Sequence, residues 1–156
     1  MKKLVRVLLG LILCCSMCSC TFIGFIYNDL LYDDTTKAEI NAADEFARKF
    51  LSLVSNGEIE EAEKYIHPQF FEIEETLTKY LASMEERESI EFSQGVYIER
   101  TRSKNKSSDY FFVPQYTYHG YTITYDVLIG TVPKTCKISI CDNDDGYGIY
   151  QLIFVN

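Results

Sequence analysis

The apolar residues of this chain change their period once, near residue 90, and that switch constrains the fold more than any composition figure. Upstream, Ile40, Ala43, Ala47, Phe50 and Val54 recur at steps of three and four, one face of an amphipathic helix. Thr36 and Glu39 have capping-box spacing and predict the start of this helix, and Asn56-Gly57 predicts its stop. A short helix is expected from Glu58 to about Ile66, with Ile59, Ala62 and Ile66 on one face and Pro68 ending it. A third is expected from about Glu72 to Glu88, carrying Ile73, Leu77, Tyr80 or Leu81, and Met84 at helical spacing.

Downstream the period is two. Val96 and Ile98 alternate with Tyr97 and Glu99, and Asp109–Tyr118 reads as an aromatic strand interrupted by Pro114. His119-Gly120 reads as a tight turn. Tyr121, Ile123, Tyr125, Val127 and Ile129 then share one strand face, with Thr122, Thr124 and Asp126 on the other. Gly130–Lys134 is expected to turn, Cys136, Ile138 and Ile140 to face inward, Asp142–Gly146 to turn again, and Tyr147–Val155 to close the chain as a strand. Helices first and an antiparallel meander afterwards predict an α+β fold, with the helices packed on one face of the sheet.

The first twenty residues stand outside that fold. Lys2, Lys3 and Arg6 precede an apolar run, Val7 to Leu13, which leads through small residues to Cys20, the layout of an export signal. Met17-Cys18-Ser19-Cys20 resembles a bacterial lipobox, which implies acylation of Cys20, cleavage after Ser19 and a lipoprotein whose tether spans 21–35. A second reading uses Val7–Tyr27: 21 residues without a charge would span about 31 Å as an uncleaved helical anchor. Both readings place the folded part, 36–156, in the cell envelope outside the cytoplasmic membrane, held by a lipid or a helix.

Charge narrows the partners. The 156 residues carry 15 Lys and Arg against 23 Asp and Glu; without Lys2, Lys3 and Arg6 the remainder holds 12 basic and 23 acidic residues, a charge of -11. Such a domain repels nucleic-acid phosphates as a whole, and it also repels an anionic bilayer, so attachment must come from the anchor.

The run DEFARKFLSLVSNGEIEEAEKYIHPQF, followed at the end of the chain by DGYGIYQLIFV, resembles nuclear transport factor 2-like domains. The resemblance covers roughly 36–156. It implies N-terminal helices on a curved antiparallel sheet that encloses a conical cavity. Enzymes of that kind use Asp, His and Tyr side chains pointing into the cone. Here Asp126 and Glu99 fall out of phase with the apolar face, and Glu60, Glu61, Glu85 and Glu86 cluster on polar helix sides, so no catalytic residue is assigned. A buried carboxylate bonded to a Tyr in a deep pocket would reverse that.

Other chemistry is sparse. Cys136 and Cys141 are five residues apart, about 17 Å along a strand, too far for a disulfide and on opposite faces. His67 and His119 have no zinc spacing, and the Asp142–Gly146 turn places Gly146 and Ile153 where a calcium loop needs ligands. No metal or cofactor is expected. Arg100, Arg102, Lys104 and Lys106 alternate and predict a one-sided basic stripe, either a charge-protected edge or a docking surface for an acidic partner. Tyr110, Phe112, Tyr116, Tyr121 and Tyr125 are core aromatics by default and candidates to line a cavity. The function expected is a membrane-tethered, non-catalytic module that binds a protein or a small apolar ligand. The competing expectation is a small cone-fold enzyme, an isomerase or hydratase.

Overall fold

The computed structural model describes residues 32–68, 76–107 and 119–156. The expectations for Cys20, for most of the tether, for Glu72 and Ile73, for the Asp109–Tyr118 strand, and for Tyr110, Phe112 and Tyr116 therefore lie outside the described residues. The chain divides into a unit ending at Lys37 and a unit from Ala38 to Asn156.

Among the described residues three helices come first: α1 (Asp34–Ser55), α2 (Ile59–Glu63) and α3 (Leu77–Glu88), followed by a 3-10 turn at Phe92–Gln94. Helix α1 starts three residues before the expected position. The Asp33 carboxylate accepts the Thr36 amide at 2.8 Å, so Asp33 caps the helix and Thr36 lies inside it. At the other end Glu58 N–H bonds Leu53 O at 2.9 Å and Gly57 N–H bonds Val54 O at 3.1 Å, the paired bonds of a Schellman stop. Gly57 supplies the left-handed φ of +74° that this stop requires. Ile40, Ala43, Ala47, Phe50 and Val54 are all buried, as their spacing predicts. Each large side chain so buried contributes about 1.5–3 kcal/mol.

Helix α2 is shorter than expected. After Lys64 the chain extends, and Ile66 forms a parallel bridge with Ile149: His67 N–H bonds Ile149 O, and Ile149 N–H bonds Tyr65 O, both at 2.8 Å. Helix α3 begins after Thr76, whose hydroxyl accepts the Lys79 amide, and buries Leu77, Leu81 and Met84.

Four strands follow among the described residues: β1 (Val96–Ser107), β2 (His119–Ile129), β3 (Val132–Asn143) and β4 (Gly146–Val155). They form an antiparallel sheet in the order β1-β2-β3-β4, which makes the fold α+β. Two expected turns prove to be strand. His119 and Gly120 pair with Asp142 and Cys141, and Val132 to Lys134 pair with Ile129 to Val127. The loop between β2 and β3 is only Gly130-Thr131, with Gly130 at φ +59°, the two-residue connection whose twist suits a hairpin. Asp144-Asp145 likewise joins β3 to β4.

Tyr121, Ile123, Tyr125, Val127 and Ile129 are buried on one side of β2, and Cys136, Ile138 and Ile140 extend that face across β3. Helices α1 and α3 lie on this side. Tyr125 meets Asp44 of α1, and the Tyr80 hydroxyl of α3 donates to Leu152 O of β4 at 2.5 Å. Lys134, expected in a turn, is buried on the same face, where its ammonium bonds Glu88 at 3.1 Å and Asn156 at 2.6 Å.

Candidate functional site

The chemistry of the described residues concentrates where α1 crosses β1 and β2. Asp44 belongs to the buried stripe of α1, between Ala43 and Ala47, and is only 6% exposed. The Tyr125 hydroxyl, on a fully buried ring, donates to Asp44 Oδ1 at 2.6 Å. Lys104 Nζ stands 2.7 Å from Asp44 Oδ2. Arg48 Nε, one helical turn on, lies 3.2 Å from both carboxylate oxygens, while its Nη2 donates to Thr101 Oγ1 at 2.6 Å and its guanidinium lies 5.3 Å over the Tyr125 ring. One carboxylate thus gathers a phenol and two cations from three elements.

The electrostatics follow from that arrangement. Burial pushes the Asp44 carboxyl upward, but hydrogen bonds from Lys104 and Tyr125, with the charges of Lys104 and Arg48, outweigh it and hold the group below the usual carboxylate range. Burial first, then the bond to ionised Asp44, raises the Tyr125 phenol far above its ordinary value. Asp44 therefore stays charged and Tyr125 stays neutral at any physiological pH. A carboxylate committed to three donors is a weak base, and a phenol raised this far is a weak acid.

This cluster corrects the expectation that the helix acids occupy only polar faces. Asp44 is the one buried acid among the described residues. Its signal is present in the sequence, since position 44 follows Ile40 by four and precedes Ala47 by three, inside the apolar period.

The basic stripe is also corrected. The pairing of β1 with β2 slips between Ile98 and Arg100 and again between Thr101 and Ser103. Each slip inserts one residue, so the strand changes phase and the four cations divide between two sides. Arg100 and Arg102 reach Asp126 on the sheet face away from the helices. Lys104 and Lys106 fall opposite Ile123 and Tyr121 on the helix side, where Lys106 Nζ meets Glu39 at 2.8 Å and Lys104 also donates to Asn41 at 3.3 Å. Burial works against the Asp126 charge, but both guanidiniums outweigh it and lower its pKa.

Of the candidate aromatics, Tyr121 and Tyr125 lie within the described residues, and both are buried between sheet and helix. Tyr121 donates to Glu39 at 3.2 Å, and burial together with that carboxylate pushes its phenol up to about 12. Cys136 and Cys141 are free thiols, both buried. His67 is fully buried, with Nε2 2.9 Å from Asn143 Oδ1 at the end of β3. No group of three or more His, Cys, Asp or Glu side chains among the described residues is placed to hold a metal ion, and none of their helices is long and apolar enough to cross a membrane.

Comparison with models of known protein families, with curated proteins and with solved structures returns no match. The functional reading rests on the sequence and on the geometry of the described residues.

Proposed function

We propose that this chain is an exported, membrane-tethered module of the cell envelope that works by binding a protein or small apolar ligand rather than by catalysis, on a nuclear transport factor 2-like scaffold. The observation that carries the non-catalytic half is the state of Asp44. The buried acid that could serve a reaction is held charged by Lys104, Arg48 and Tyr125, and all three donors also tie α1 to the sheet. An acid or base needs a pKa near the working pH and a face open to substrate. Asp44 has been moved the other way. The anchor rests on the basic n-region, the apolar run and Cys20.

The Asp44–Tyr125 bond is also the observation that favours the second reading, an isomerase or hydratase that uses this carboxylate. One experiment separates them. The double variant Asp44→Asn, Lys104→Met removes the charge and its nearest cation together and is supplied to cells as the sole copy. The binding reading expects envelope behaviour and crosslinked partners equal to wild type at a permissive temperature. A folded double variant that keeps its partners but behaves as a deletion assigns the carboxylate to catalysis. For the anchor, Cys20→Ser should abolish lipid labelling and processing; unchanged mass and membrane retention would favour the uncleaved helix.

A further inference from the structure

The sheet face turned away from the helices is the part of this acidic domain whose charge is reversed. In register across the strands it carries Tyr97 opposite Leu128, then Arg100, Asp126, Thr135 and Val155, then Lys137 beside Ile153. Tyr97 is 67% exposed and Val155 47%, two of the three most exposed large apolar side chains among the described residues. Arg100, Arg102 and Lys137 face a single acid, Asp126, with Glu99 exposed at the bulge beside them. Lys137 is exposed and makes no ion pair among the described residues. The other exposed acids include Glu60, Glu61 and Glu86, which stand on the helices.

We infer that this face, at its Tyr97–Val155 end, lies against the surface of an anionic bilayer. The inference rests on the tethered reading of the amino terminus. From Thr21 to Asp33 there are 13 residues, which can extend at most about 45 Å, little more than the diameter of a domain this size. A tethered domain with a charge of -11 is repelled on most of its surface, so the field orients it rather than recruits it. The face with surplus positive charge turns toward the lipid and the acidic helices turn away, within a screening distance of about 8–10 Å. Tyr97 then sits at headgroup depth, where an amphipathic ring is most favourable, and Val155, on the opposite edge strand of the same face, meets the acyl boundary. Each cation at such a surface raises the population of this orientation by about fivefold.

The chain has no Trp, so Tyr97→Trp places one indole reporter on this face and Tyr147→Trp one on the helix side, where Tyr147 packs on Phe46. Each full-length variant is reconstituted into phosphatidylcholine or phosphatidylglycerol vesicles with brominated acyl chains, and recovery is checked by flotation. The expected result in phosphatidylglycerol is quenching of the Tyr97→Trp variant several-fold above that of the Tyr147→Trp variant. The difference should fall with salt and with Lys137→Glu, a substitution that leaves every ion pair described above intact. Flotation with equal quenching of both variants overturns the orientation while the anchor stands, and returns this face to a protein partner. Failure to float with phosphatidylcholine removes the anchor; if the Tyr97→Trp variant is then unquenched in phosphatidylglycerol as well, the inference falls with it.

Discussion

Replacing Asp44 with Asn keeps the shape of the side chain and removes its charge. In the folded domain the carboxylate accepts from Tyr125 at 2.6 Å, from Lys104 at 2.7 Å and from Arg48 at 3.2 Å. An amide oxygen can still accept from Tyr125, but its NH2 group then faces a cation. A hydrogen bond to a charged group contributes about 1.5–3 kcal/mol, and two such bonds are lost. The Lys104 and Arg48 side chains are 29% and 41% exposed, so both recover hydration and the sum is discounted. The expected loss is about 2 kcal/mol at neutral pH. The pH dependence has a definite sign. Asp44 is held below its ordinary 3.8, so its contribution is complete above the unfolded value and vanishes as pH falls through the folded one. Wild type and variant should therefore differ at pH 7 and converge at a pH below the lowered folded value. Urea titrations of the folded domain, followed by circular dichroism at both pH values, measure this. Lys104→Met should cost less in the variant than in wild type, by about 1 kcal/mol of coupling. Equal stability at pH 7, or a gap that persists in acid, would refute the electrostatic account.

The thiols of Cys136 and Cys141 should both escape labelling in the folded protein and both react once it is unfolded without reductant, because burial raises the first far above its ordinary value and burial with Asp142 pushes the second up to about 11; a two-unit mass loss on oxidation would contradict the strand geometry. Gly148→Ala should lower the melting temperature markedly, since its Cβ would stand 2.6 Å from His67 N and 2.9 Å from Ile66 C, backbone atoms of the bridge to β4, at a cost of about 1–3 kcal/mol. A melting temperature unchanged by that substitution would place the Ile66 segment elsewhere.

What the sequence discloses follows from how far each signal acts. The buried faces of α1 and β2 are legible because a period is a local property, repeated over many residues. The end of α1 is legible because Asn56-Gly57 is a local stop. Its start is not, because Asp33 and Thr36 are both competent caps and only the helix shows which is used. The bulges of β1 are not legible either. No residue type announces them, yet they decide that Arg100 and Arg102 serve one face and Lys104 and Lys106 the other. Ile66 reads as helix because its partner, Ile149, lies 83 residues away in sequence. Asp44 is legible in phase but not in purpose, since a charged residue in an apolar stripe gains its reason only from Lys104, Arg48 and Tyr125.

Three of the contacts that seat the helices have a consequence for synthesis. Asp44 meets Tyr125, Tyr80 meets Leu152 and Tyr65–His67 meets Ile149 across separations of 72 to 84 positions, while the β2–β3 and β3–β4 hairpins turn on two residues each. Two of the three partners lie in β4, the last strand of the sheet. Helix α1 meets its partners once β1 and β2 are made, whereas α3 and the Ile66 segment wait for β4, because closing such long loops precedes any gain from them. A chain that stops before Gly146 keeps its helices and loses the surface that shelters them. Such a fragment leaves α3 and the Ile66 segment open to proteolysis, so the ten residues of β4 decide whether they survive.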